Sequence, residues 1–316
     1  MPNVLHEVET GLQRLKDAMP NVATPRISEL RMVEAKGNVL TVQDRETGAS
    51  YRLAWAPGQT FKQLTGADPF MMGKLSPELQ EQIWAELLGR NQQKMTIKYR
   101  GGSDAHEVLA VMGNDQPTVN YKEWTDRIVD HLGPEGIANI AHLKAGFGFG
   151  LVFEEAKGPA KDVNDIVHSG VYINMNGKVT AQPYHLRRTC TNGATAPTFS
   201  TREYTLSEDT YRRGLDEMRV ESQSFRDAFL DLANQPMGSA GGHIGALRTG
   251  HILNTQQTAQ LVTQIQVLPD DASLYDLANL ITAQQHANPN DIRWLEIGGQ
   301  AIQHFHSGVC THCGHH

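Results

Sequence analysis

The spacing of apolar residues divides the chain into a strand-rich middle flanked by helices. Leu5, Val8, Leu12 and Leu15 recur at helical spacing and predict a helix over 4–18, broken afterwards by Pro20 and Pro25. Strand-like stretches at 38–43 and 51–55 flank the turn-prone run Asp44-Arg45-Glu46-Thr47-Gly48, which predicts a hairpin. A short helix is expected over 60–64. Ser76-Pro77-Glu78 then supplies a capping hydroxyl, a proline at the first helical position and an acid at the positive end of the helix dipole. The helix it starts carries Leu79, Ile83, Trp84, Leu87 and Leu88 on one face and is expected to end near Arg90. Strands are predicted over 95–99 and 108–112, followed by a helix from the cap Asn120 to Leu132.

The second half opens with a glycine-interrupted strand over 146–154. Its densest block of signals is 165–199, where strands over 167–174 and 178–188 flank Asn174-Met175-Asn176-Gly177. The Asn-Gly pair in that run is the strongest short hairpin signal. Pro183 belongs at an edge or a bulge because it has no N–H for a ladder. A further strand is expected over 198–205 and a long helix from Ser207-Glu208-Asp209 to about residue 234. Residues 238–250 read as a glycine-rich loop, and helices follow over 253–266, 274–285 and 291–303. The pattern predicts an α+β fold with a central antiparallel sheet built from hairpins, helices packed on it and a helical C-terminal segment. Four units are expected: 1–58, 59–237, 238–303 and 304–316.

Composition narrows the class of protein. The 316 residues are 39% hydrophobic and 20% charged, ordinary for a globular chain with a core. No apolar run approaches the roughly 18 residues a membrane span needs. The N-terminus lacks a basic start followed by an apolar stretch, so a cytosolic location is expected. The net charge is −7, which argues against coating duplex DNA with a general basic surface and leaves a local basic groove open. From Val267 onward Asp270, Asp271, Asp276, Asp291 and Glu296 face a single base, Arg293, which makes that segment a poor nucleic-acid surface.

The candidate chemistry is of three kinds. Arg187, Arg188, Arg202, Arg212, Arg213, Arg219 and Arg226 cluster along the chain with Tyr184, His185, Tyr204 and Tyr211. Arginines with aromatics on a sheet grip single strands through backbone charge and base stacking. Glu203, Glu208, Asp209, Asp216, Glu217 and Glu221 lie in the same interval, and such a mixture of acids and bases more often makes a solvated, ion-paired face. The loop at 238–250, with His243, Arg248 and the following His251, either closes over phosphates or simply connects helices. In the tail, Cys310 and Cys313 form a Cys-x-x-Cys-Gly turn, and His304 and His306 stand ready to complete a tetrahedral zinc site. Gly146-Phe147-Gly148-Phe149-Gly150 lacks the helix that a nucleotide-binding loop requires, so its glycines are read as structural.

The run GVYINMNGKVTAQPYHLRRTCTNG within 166–194 resembles the central motif of the phage/plasmid-like proteins grouped as domain of unknown function 932. Those proteins show a strand, an Asn-rich turn, a second strand and an Arg-x-Cys-x-Asn-Gly ending, here Arg188-Thr189-Cys190-Thr191-Asn192-Gly193. Val108-Leu109-Ala110-Val111-Met112-Gly113 resembles the family's upstream strand. The run from Ser273 to Thr282 resembles its downstream helix, in which a Tyr, an Asn and a Thr recur, here Tyr275, Asn279 and Thr282. The resemblance implies a mobile-element origin and carries no catalytic residues. Together with the arginines it leads to an expected non-enzymatic, nucleic-acid-handling protein that binds or anneals single-stranded DNA as a homo-oligomer. Arg187, Arg188, Tyr184, Arg202, Arg212, Arg213 and Arg248 are its expected contacts. The alternatives are a metal-dependent enzyme and a protein-interaction module, either a virion component or a host-defence antagonist.

Overall fold

A computed structural model describes residues 5–102, 104–113, 119–143, 146–159, 165–188, 195–287 and 293–307. The fold is α+β, with two largely antiparallel sheets and a group of C-terminal helices. In chain order the first half comprises β1 (His6–Glu7), α1 (Val8–Ala18), β2 (Asn21–Ala23), β3 (Leu30–Lys36), β4 (Val39–Asp44), β5 (Ser50–Leu53), α2 (Trp55–Thr65), α3 (Pro69–Met72), α4 (Pro77–Leu88), β6 (Met95–Arg100), β7 (His106–Gly113) and α5 (Tyr121–Leu132). The second half comprises β8 (Gly136–Leu143), β9 (Gly146–Lys157), β10 (Ile166–Asn176), β11 (Lys178–Arg188), β12 (Thr195–Phe199), β13 (Tyr204–Leu206), α6 (Tyr211–Asp231), α7 (Ala240–Thr249), α8 (Thr255–Gln264), α9 (Leu274–Ala287) and α10 (Arg293–Ser307).

The smaller sheet runs β2-β6-β7-β5-β4-β3 and buries Leu40, Val42, Leu53, Met95 and Ile97 against Phe61 of α2 and Trp84 and Leu88 of α4. Trp84 satisfies its indole by donating to the Leu30 carbonyl at 2.9 Å. β5 pairs in parallel with β7, so the early hairpin and the later strands share one sheet. The expected boundary at 58/59 therefore cuts through this sheet. A unit limit drawn from turn composition cannot see a pairing between strands so far apart in sequence.

The larger sheet runs β1-β8-β9-β10-β11-β12, with β13 also pairing β11. Gly177 turns the β10–β11 hairpin at φ 71°, a conformation glycine adopts without a Cβ penalty. Strand alternation separates two faces. On one, Phe147, Phe149, Leu151, Val171, Ile173 and Met175 meet Leu15 of α1, Ile128 of α5 and Leu215 and Met218 of α6. On the other, Ala138, Val152, Tyr172, Tyr184, Leu186 and Phe199 form their own cluster. Beyond the first face, Phe225 and Phe229 of α6 continue into a core shared with Leu247, Leu261, Tyr275, Ile281, Trp294 and Phe305.

The expected strand over 198–205 is divided into β12 and β13, which pair with different parts of β11. Pro183 lies between the two paired segments, where its missing N–H costs nothing, and its carbonyl accepts from the Ser200 amide at 2.8 Å. Residues 240–249, expected as part of a loop, are helical because Ile244 and Leu247 are fully buried in the C-terminal core and Ser239 caps the Gly242 amide. Packing of an apolar face outweighs the low helix propensity of glycine there.

Candidate functional site

The hairpin end, the residue just ahead of β10 and the first turns of α9 converge on one carboxylate. Asp165 has a side chain with 0% exposure and receives the Arg187 Nε at 2.7 Å on Oδ1. The Tyr275 hydroxyl donates to the other oxygen, Oδ2, at 2.7 Å. The register explains the meeting, because Val167 pairs with Arg187 and places Asp165 beside the end of β11. The Arg187 guanidinium also lies 5.3 Å from the Tyr275 ring centroid. Burial raises the Tyr275 hydroxyl well above its ordinary range, so it stays a donor, and the Asn279 side chain hydrogen-bonds it in turn.

Asn279 Oδ1 keeps no partner. It belongs to a cleft of about 360 Å³ lined by Arg187, Asp276, Asn279, Leu280 and Thr282. Both carboxylate oxygens of Asp165 are committed and the Arg187 side chain is only 14% exposed. Chemically this is a charged clamp between sheet and helix. Its geometry assigns neither a nucleophile nor a general base.

Next to the clamp, His185 lies between Phe225 and Phe229, with centroids 5.0 and 4.5 Å away and near-parallel planes. Burial, with the Arg187 charge as a second cause, pushes its pKa down to about 3. Its Nδ1 has no hydrogen-bond partner, so the ring is a neutral core aromatic.

The remaining expected contacts are placed as follows. Tyr184 is a correction: its ring is fully buried over Gly150 and Gly170 and no base can stack on it. Tyr172 covers Gly148 in the same way, and a Cβ on Gly148 or Gly150 would stand within 2.3 Å of a tyrosine hydroxyl oxygen. The glycine-interrupted strand is therefore explained by the two tyrosines that cross it. Arg187 is also corrected, from a free ligand contact to the buried partner of Asp165. Arg188 is the last residue of β11, and its side chain lies outside the described residues.

Arg202 is exposed, pairs with Glu221 and lies 4.6 Å from the Tyr204 ring. Arg212 lies 5.7 Å from the Tyr211 ring and donates to its hydroxyl at 3.1 Å. Arg213, 84% exposed, pairs with Glu217 at 3.2 Å. Arg248 instead stands apart, in the last turn of α7, donating to the Leu253 carbonyl and the Thr255 hydroxyl.

His304 and His306 occupy the last turn of α10. Burial, and second the neighbouring His243, lower the pKa of His304. Cys310 and Cys313 lie outside the described residues, among which no group of three or more metal-ligating side chains occurs. Among the described residues no helix is long and apolar enough to cross a membrane.

Asp165 and Tyr275 carry the clamp, yet neither was singled out as a contact from residue pattern. The recurrence of Tyr275, Asn279 and Thr282 in the family-like helix was the available signal. Comparison of the chain with protein-family models, with curated proteins and with solved structures found no match.

Proposed function

We propose that the protein is a non-enzymatic nucleic-acid-handling protein of phage or plasmid origin that binds single-stranded DNA as a homo-oligomer. The observation that supports this reading is a set of exposed arginines set on half-buried tyrosines along β13 and α6. Two arginine–tyrosine pairs, Arg202 with Tyr204 and Arg212 with Tyr211, lie there beside the exposed Arg213. Guanidinium groups track a phosphate backbone while the aromatic faces take unstacked bases. Glu217 and Glu221 occupy two of these arginines in the free protein, so binding exchanges an intramolecular ion pair for a phosphate.

The test is binding to a labelled oligonucleotide across a salt series. The Arg202→Ala/Arg212→Ala/Arg213→Ala variant is expected to bind more weakly and to flatten the log–log salt slope by about 2, at about 0.7 per lost phosphate contact. An absence of binding at low salt, or an unchanged slope in the variant, rejects the reading.

A second reading, zinc held by the tail, is favoured by the approach of His243 to His304 just before Cys310 and Cys313. Elemental analysis is expected to find stoichiometric zinc that Cys310→Ser releases. A metal-free protein refutes it.

A further inference from the structure

β3 closes one end of the smaller sheet, with β4 as its neighbour on the inner side. Two observations fix the phase of its backbone. The Arg45 amide donates to the Glu29 carbonyl at 3.0 Å, and Leu30 pairs with Asp44 and Met32 with Val42. Bonded and non-bonded pairs alternate along an antiparallel ladder, so Arg31 turns its amide and carbonyl to β4, whereas Leu30 and Met32 turn theirs outward. The Leu30 carbonyl accepts the Trp84 indole of α4 from that outer side at 2.9 Å, in agreement with this phase. The amide and carbonyl of Met32 face the same way, as the open edge of the sheet.

That edge opens into a cleft of about 870 Å³ between β3 and α4. Leu30, Arg31 and Met32 form one wall, and Glu81, Trp84 and Ala85 form the other. The two faces of the strand differ in chemistry. Leu30 and Met32 turn to the core side with Trp84, and the exposed Arg31 turns to the opposite side. Among the described residues Arg31 forms no ion pair. Its Nε donates to Gln43 Oε1 at 2.7 Å, which leaves the terminal N–H groups of its guanidinium for a carboxylate. Over the whole lining Glu29 and Glu81 match Arg31 and Arg45, so a charge preference is set by position and not by net charge. Past Met32 the edge is closed. A bulge falls between Met32 and Glu34, and the chain after α3 lies against the strand's end, where a Cβ on Gly73 would stand 3.4 Å from Gly37 N and 3.5 Å from Ala35 O. A whole β3 strand from a second copy meets that cover, whereas a short peptide does not.

We propose that this cleft binds an extended peptide of a partner protein by strand addition, antiparallel to β3, with an acidic residue opposite Arg31 and an apolar residue on each side of it. Strand addition draws affinity from the main chain and specificity from alternate side chains. The peptide residue opposite Met32 exchanges both of its main-chain hydrogen bonds with that residue. Residues opposite Leu30 and Met32 point toward Trp84 and Ala85 and take apolar side chains. The residue between them shares the face of Arg31, where an opposite charge is favourable, and turns away from Glu81 on the helix wall. The cleft shares no residue with the arginine–tyrosine pairs, so this inference and the nucleic-acid reading fail separately.

The probe is a fluorescein-labelled peptide Thr-Val-Glu-Val-Thr, blocked at its C-terminus, titrated with the full chain and followed by anisotropy. Saturable binding with a Kd below about 1 mM is expected. N-methylation of the first valine, the residue opposite Met32, removes a main-chain donor and should weaken binding at least tenfold. Ala85→Tyr, at an exposed position of α4, fills the cleft and should do the same. A peptide with lysine in place of glutamate should bind the wild type severalfold more weakly, and Arg31→Glu should reverse that order. No saturable binding, equal binding of the N-methylated peptide, or an unchanged order in Arg31→Glu overturns the proposal. A chain that forms a dimer lost in Ala85→Tyr, and takes up no peptide, assigns the cleft to a second copy and equally overturns it.

Discussion

Replacing Arg187 by Met separates the clamp from a ligand-facing arginine. Asp165 is fully buried, and in the wild type its charge is met by Arg187 Nε and the Tyr275 hydroxyl. Arg187→Met takes the guanidinium countercharge away from a buried carboxylate while the Tyr275 hydroxyl still donates to it. Breaking a buried pair from one side costs about 3–5 kcal/mol. Asp165→Asn alone leaves the guanidinium without its countercharge, at a smaller cost because Arg187 is 14% exposed and reaches solvent. The double variant buries no charge at all, so it should be more stable than the sum of the two single losses by at least about 2 kcal/mol, the size of coupling seen between contacting groups. Urea melts of the four proteins at pH 7, each checked for a shared m-value, measure the cycle. Tyr275→Phe adds an internal check, because loss of one hydrogen bond to a charged acceptor should cost about 1.5–3 kcal/mol. Additive losses within about 0.5 kcal/mol would sink the clamp. A near-neutral Arg187→Met that abolished oligonucleotide binding would show instead that this arginine faces the ligand.

Two more predictions concern the core around the clamp. His185 has a folded pKa of about 3 against an ordinary value of 6.5, so between those values only the unfolded chain takes up its proton. Its contribution is complete above about pH 6.5 and is lost as the pH falls, by about 1.4 kcal/mol per unit, or roughly 2 kcal/mol at pH 5. His185→Leu should remove that slope from the difference between melts at pH 7 and pH 5, and an equal slope in the variant would show that the histidine does not titrate as placed. At the crossing of α10 and β12, a Cβ on Gly299 would stand 1.5 Å from the Phe199 carbonyl oxygen. Gly299→Ala should therefore cost about 3 kcal/mol or more, whereas Gly245→Ala, with open space around it in α7, should gain about 0.5–1 kcal/mol by thermal melt. Equal effects at the two glycines would refute the close contact.

Much of the local structure was legible because short-range rules settle it. The Ser76 and Asn120 caps, the alternation in β4 and the Asn-Gly turn of the β10–β11 hairpin each act within a few residues, and each element formed where expected. The run Gly238 to Gly250 was read as a loop because its glycines outweigh everything local to it. Only the distant core that takes Ile244 and Leu247 makes most of it a helix.

The site divides along the same line. Alternation by itself puts Arg187 and Arg188 on opposite faces of one strand and lets one of the two be ion-paired. It did not show that both faces of this strand are covered, one by the aromatic cluster of Tyr172 and Phe199 and the other by α6 and α9. With both sides closed, Tyr184 became core and Arg187 needed a countercharge. Asp165 supplied it from across the hairpin, and Tyr275 completed it from 110 positions further along the chain. Local sequence determined the strands and turns, because their energies arise between near neighbours. Burial of the arginine and the identity of its partner were decided by the tertiary structure, because desolvation depends on what the rest of the chain lays over the sheet.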